Sequence, residues 1–170
     1  FGEKIASDLV TILDDATVGT AAREVFANGK KMLDQLIKGR WLTANAVVGF
    51  WPANTVGDDI EVYVDESRAT LLATFRNLRQ QNEKPSGNPN QSLADFIAPK
   101  DTGIADYLGA FAVTTGLGCE ERAKAFEAAN DDYSAIMIKA LADRLAEAFA
   151  EHLHWKTRRE YWGYAKDEIL

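Results

Sequence analysis

The chain has 170 residues, 46% hydrophobic and 26% charged, with a formal net charge of −7, a size and balance that suit one domain able to bury a core. The acidic balance, without a basic stripe, excludes a nucleic-acid phosphate backbone as partner. The single Cys119 excludes an internal disulfide and a thiolate metal cage.

Residues 17–38 read as a helix, because Ala22, Val25, Phe26, Gly29, Met32, Leu33, Leu36 and Ile37 keep the i, i+3, i+4 rhythm. Gly29 costs helix propensity on that stripe and predicts a close approach of another element. Gly39 is expected to end the helix. Residues 44–51 (ANAVVGFW) form the first strand, with a turn expected at Pro52, Ala53 and Asn54. Residues 60–64 form the second, with Ile60, Val62 and Val64 alternating against Glu61 and Tyr63. Residues 69–78 fit strand or helix; strand is preferred, since residues 60–64 need a hairpin partner. A polar loop over 82–92 is broken by Pro85, Gly87 and Pro89. Residues 107–114 are a fourth strand, and a short helix near 120–129 leads into a long one over 131–154. Strands clustered between terminal helices predict an α+β domain, with a central, mostly antiparallel sheet flanked by long helices.

The long helix has two faces. Met137, Ile138, Leu141, Ala142, Leu145, Ala146, Ala148, Phe149 and Leu153 share one side, and Lys139, Asp143, Arg144, Glu147 and Glu151 the other. Asp143 and Glu147 project from one turn, and neither has a basic residue four positions further on. Ala140 and Ala150 beside them leave room for an approaching group. The residues alone favour a solvated face; a docking surface is the alternative.

Other chemistry finds little support. His152 and His154 point to different faces and do not chelate one metal together; His152 is expected in the core and His154 near Glu147 and Glu151. There is no G-x-S-x-G elbow, and the segment from Thr115 to Gly118 lacks the Lys of a phosphate loop. Asp58, Asp59 and Glu61 read as a cation or general-base cluster, or, preferably, as a hairpin turn with solvated acids. Asp131 and Asp132 fit an N-terminal cap. No apolar run reaches bilayer length and no secretory signal is seen, so no membrane partner and a reducing, cytoplasmic setting are expected.

The strings VVGFWPAN, VGDDIEVY, LRQQ, LADFIAP, DYLGAFAVT, NDDYSAIMIKALADRLAEAFAEHLH and YWGYAKDE, in this order, closely resemble the activation domain of cobalamin-dependent methionine synthase. The resemblance runs over nearly all of 14–168. It implies a helmet-like α+β domain that binds S-adenosylmethionine and restores an enzyme whose cob(I)alamin has been oxidised. The resemblance implies that a flavodoxin-type donor supplies one electron to cob(II)alamin and that S-adenosylmethionine supplies the methyl group. It also implies that the cobalamin domain of the same enzyme docks on this module and that its histidine leaves cobalt, with Asp143 and Glu147 as partners for that histidine. By the same resemblance, cobalamin itself is expected on the neighbouring domain. No catalytic or metal-ligating residue is assigned.

The family's Arg-Pro-Ala-Pro-Gly-Tyr ligand segment falls beyond the equivalent of Leu170, and a ligand-holding aspartate falls before Phe1. Residues 1–13 lack the family's Trp and Gly-x-Tyr/Phe-Pro pattern. The expectation is therefore a single domain over 1–170, a partial activation domain without its C-terminal ligand-binding segment. It would serve either as part of the reactivation module or as a non-catalytic docking module that presents an acidic helix.

Overall fold

The computed structural model describes residues 9–85 and 87–169, so most of the segment 1–13, Ser86 in the polar loop and Leu170 lie outside the described residues. The chain divides into two compact units, Val47–Ala112 and the combination of Phe1–Ala46 with Val113–Leu170. Four strands, β1 (Thr43–Val56), β2 (Asp59–Tyr63), β3 (Leu71–Arg76) and β4 (Asp106–Leu117), form one sheet in the order β3-β2-β1-β4. The β1–β2 and β2–β3 ladders are antiparallel. With helices α1 (Gly19–Gly39), α2 (Cys119–Ala128) and α3 (Asp132–Lys156), this is the expected α+β fold, and residues 69–78 do supply a strand.

In the unit Val47–Ala112, a small core gathers Ala53, Ile60, Val62 and Ala94, with Trp51, Ile97 and Leu108 against it. No turn occurs at Pro52; β1 continues through it and reverses only after Val56, where Gly57 takes φ 63°. Pro52 precedes the first β1–β2 pair, Ala53↔Val62, so its missing N–H costs that ladder nothing. The alternation of β2 also breaks where it was expected to continue. A register shift between Val62 and Tyr63 turns Tyr63 inward, to 2% exposure, and Val64 outward. The buried Tyr63 hydroxyl then donates to Glu61 Oε2 at 2.7 Å, and burial together with that carboxylate pushes the phenol's pKa up.

A second device in this unit is Arg68, a non-glycine residue at φ 53°. Its guanidinium donates to the carbonyls of Ala53 (3.2 Å) and Asp106 (3.0 Å) and to Asn54 Oδ1 (2.9 Å). It lies over the Tyr63 and Tyr107 rings at 5.9 and 5.4 Å. Buried Asn54 in turn donates to the carbonyls of Ala98 and Ile104. One side-chain network thereby fixes β1, the loop after β2 and the start of β4.

In the other unit, Met32 and Leu36 of α1, Cys119 and Ala123 of α2, and Ala135, Ile138 and Ala142 of α3 form one core. Val25, Phe26 and Ile37, expected on the same stripe, are exposed. Gly39 is the last helical residue rather than the left-handed terminator; that conformation falls on Arg40 (φ 48°, ψ 47°). A side chain at Gly39 would collide with the Trp41 indole, which explains the glycine by space. Gly118 is required twice over: it sits at φ 94° and a Cβ there would come within 2.7 Å of the Trp41 carbonyl oxygen.

Gly29 does not mark the tight approach that was expected. A Cβ there would lie 3.8 Å from Met137 Sδ, an ordinary contact. Gly29→Ala therefore gains helix propensity without a clash and should stabilise the domain by about 0.5–1 kcal/mol. A urea or thermal unfolding series checks this; destabilisation would show that α1 and α3 pack more closely than this spacing.

Candidate functional site

α3 is made to be a stable platform. Asp131 caps it, accepting the Ser134 N–H at 3.0 Å, and that bond holds its carboxyl below the usual carboxylate range. Its 25 residues place Asp143 and Glu147 near the middle, away from the fraying ends. The opposite side is anchored by buried Ala135, Ile138, Ala142 and Leu153. The buried Thr115 hydroxyl of β4 adds a hydrogen bond to the Ala142 carbonyl at 2.7 Å. Asp143 and Glu147 thus project outward because their helix is pinned from behind.

Both acids are exposed at 68% and 64% of their side-chain surface, with Ala140 exposed and Ala150 half-buried nearby. They are not without a cation. Arg144 Nη2 lies 2.6 Å from Asp143 Oδ2 and Nη1 lies 2.8 Å from Glu147 Oε2. The i, i+4 spacing does not reveal this cation, because Arg144 reaches Asp143 from the adjacent position and Glu147 from three residues away. The Asp143 hydrogen bond, with the charge of both acids, raises the guanidinium's pKa. Lys139, one turn earlier, does not serve the pair: Glu127 and Glu120 of α2 hold its Nζ at 3.4 and 3.7 Å.

His152 is exposed rather than in the core. Buried Leu153 keeps the direction of Ala135 and Ala142, and His152, about 100° round from it, lies beside Trp155 with ring centroids 5.6 Å apart. His154 is also exposed, and the Glu168 carboxyl is held below the usual range chiefly by the Arg158 hydrogen bond, with a smaller contribution from the charge of His154. After α3 a π-helical turn, Thr157–Tyr161, redirects the chain. Arg158 then grips Glu168 with two bonds of 2.6 and 2.7 Å, tying the YWGYAKDE segment back to the helix end.

The acids following Gly57 are not simply solvated. Asp58 pairs with Arg79 at 2.5 Å, Asp59 pairs with Arg76, and Glu61 Oε2 accepts Lys100 Nζ at 2.7 Å. Each acid has its own cation, which is a structural staple and not a shared ligand set. Arg79 also reaches Asp95 at 2.7 Å, and that bond, with the one from the Ser92 N–H, holds the Asp95 pKa at about 2. The Ser92-x-x-Asp95 spacing is a capping-box signal readable in the sequence, and it does begin a short 3-10 turn over Leu93–Phe96. Nothing in the local pattern marks Arg68 or Arg79, whose partners lie 11 to 38 residues away.

An open cleft of about 530 Å³ is lined by Thr55, Val56, Gly57, Pro99, Lys100 and Asp101. Its one lining cation, Lys100, is already engaged by Glu61. These residues alone do not furnish the carboxylate and sulfonium recognition that S-adenosylmethionine requires, and no ligand contact is assigned to them.

Fold and site define an α+β module whose distinguishing surface is the outward acid pair on a pinned helix. The profile of the family described as vitamin B12 dependent methionine synthase, activation domain, matches residues 4–170, and the chain belongs to that family. A solved crystal structure described as the MetH reactivation domain bound to AdoHcy is 55% identical with a TM-score of 0.84, covering 94% of this chain and 49% of that one. The chain therefore spans about half the length of that solved chain.

Proposed function

We propose that this chain is part of the reactivation module of a cobalamin-dependent methionine synthase, serving the reductive methylation of cob(II)alamin with S-adenosylmethionine as methyl donor. Family membership over residues 4–170 carries this reading, and a relative at 55% identity that holds AdoHcy, the demethylated form of that donor, supports it. The 170 residues supply about half of such a module, in keeping with a 49% share of the solved chain. No ligand-contact residue is assigned within them. The cobalamin domain of the same enzyme and a flavodoxin-type electron donor are the partners of this reading, in the cytoplasm.

Asp143 and Glu147 are the residues proposed to receive the histidine that leaves cobalt. A neutral imidazole ligates cobalt through a nitrogen lone pair; once that nitrogen is protonated, the lone pair is gone. Two carboxylates on one helical turn favour the protonated ring and raise its pKa above the ordinary value. The docked, histidine-off arrangement is then fully favoured at low pH and is lost as pH rises through that raised pKa. Replacing both acids, D143N/E147Q, should lower the ratio of histidine-off to histidine-on cob(II)alamin by about tenfold or more, since a charge-assisted hydrogen bond is worth about 1.5–3 kcal/mol before solvent screening. Unchanged cobalamin spectra in that variant would remove this role.

A second reading keeps only the docking: a non-catalytic module that presents the acidic helix to a cobalamin domain. The engaged state of Lys100 favours it for these residues.

A further inference from the structure

We propose that Arg144 is an internal stand-in for the docked histidine, a role that rests on the docking reading above. In the undocked domain its guanidinium occupies Asp143 and Glu147, and it swings off when an imidazolium arrives. Arg144 thereby sets how readily the histidine is held away from cobalt and selects the protonated ring.

The geometry is that of a placeholder. The two terminal nitrogens of one guanidinium each take a different acid, at 2.6 and 2.8 Å, so a single cation spans the pair. An imidazolium offers the same resource, one positive charge with two N–H donors. Arg144 is 65% exposed, and its ion-pair partners among the described residues are these two acids. Rotation into solvent therefore breaks these two ion pairs and exposes little further surface. The other cation on this face, Lys139, is held by Glu120 and Glu127 and does not take the vacated place.

Charge balance supplies the selectivity. A neutral imidazole that displaced Arg144 would leave two adjacent carboxylates uncompensated, whereas an imidazolium exchanges one cation for another. The accompanying step breaks the cobalt–nitrogen bond, and the freed lone pair takes a proton from solvent; no electron is moved. A retained Arg144 would instead set two positive groups against each other, so the exchange opposes docking by about the worth of an exposed ion pair.

The test uses the cobalamin-loaded enzyme that carries this domain, in its cob(II)alamin state. Nitrogen splitting in the electron paramagnetic resonance spectrum reports histidine on cobalt, and its loss reports histidine off. R144Q should raise the off-to-on ratio about two- to fivefold, the range for removing an exposed competing pair, with R144K between R144Q and the parent. In the D143N/E147Q background R144Q should change nothing, an outcome that a general effect on helix stability would not produce. If D143N/E147Q retains its effect but R144Q leaves the ratio unchanged or lowers it, the role given to Arg144 is overturned. If D143N/E147Q itself has no effect, the docking reading fails and the stand-in role fails with it.

Discussion

Ile138→Ala should destabilise the domain by about 2–5 kcal/mol, the largest loss expected from any single truncation on α3. Ile138 is fully buried, the largest side chain to be so among the described residues, and it lies at the meeting of α1, α2 and α3 with Met32, Leu36, Cys119, Ala123, Ala135 and Ala142. Three of those neighbours are alanines, with no longer side chain to swing into the space. The vacated volume therefore stays largely empty, which places the cost toward the upper part of the range. Urea denaturation with an unchanged m-value checks it. A loss below about 1 kcal/mol would mean the three helices do not share a rigid core, and the platform behind Asp143 and Glu147 would be loose.

Arg68→Ala is expected to cost about 2–4 kcal/mol, through charge-assisted hydrogen bonds and not through apolar packing. Truncation removes the donors to the Ala53 and Asp106 carbonyls and leaves Asn54 Oδ1, on a residue only 3% exposed, without its donor. The stacking on Tyr63 and Tyr107 goes as well. Because residue 68 sits at φ 53°, alanine keeps the backbone strain and loses the side-chain hydrogen bonds that help hold it in place. Arg68→Gly relieves that strain and should be about 1 kcal/mol less harmful than Arg68→Ala. Equal melting temperatures for the two variants would contradict a strained, network-held backbone at residue 68.

How far the sequence foretold this molecule depends on the range of the interactions involved. The helix over α3, its Asp131 cap and the two faces follow from neighbours three and four residues apart, and all are readable from periodicity. The strand at Leu71–Arg76 was readable through the need for a hairpin partner, although its own pattern allowed a helix. The inward turn of Tyr63 was not readable, because a one-residue register shift reverses the facing of everything after it and leaves no local mark. Pro52 misled for a similar reason: a proline is compatible with a strand wherever the ladder does not need its N–H, and that depends on the pairing register. His152 is exposed because the buried positions of the helix, Ala135, Ile138, Ala142 and Leu153, occupy a narrower arc than its apolar residues suggest, and His152 lies about 40° outside it.

At the site, the pairing of Asp143 with Glu147 on one turn was legible, and the role proposed for them came from the family resemblance alone. Arg144 stands between them in the sequence, and an i, i+4 spacing does not mark it, because it reaches Asp143 from the next position and Glu147 from three residues away. The cations of the Asp58–Glu61 turn show the harder case. Arg79 lies 21 residues from Asp58 and Lys100 lies 39 from Glu61, distances at which only the fold decides who meets whom.

Calorimetric titration of the complete domain containing these 170 residues with S-adenosylmethionine tests the reactivation reading most directly. A saturable heat with one ligand bound per domain is the expected result; a correctly folded domain that gives no detectable binding would contradict that reading.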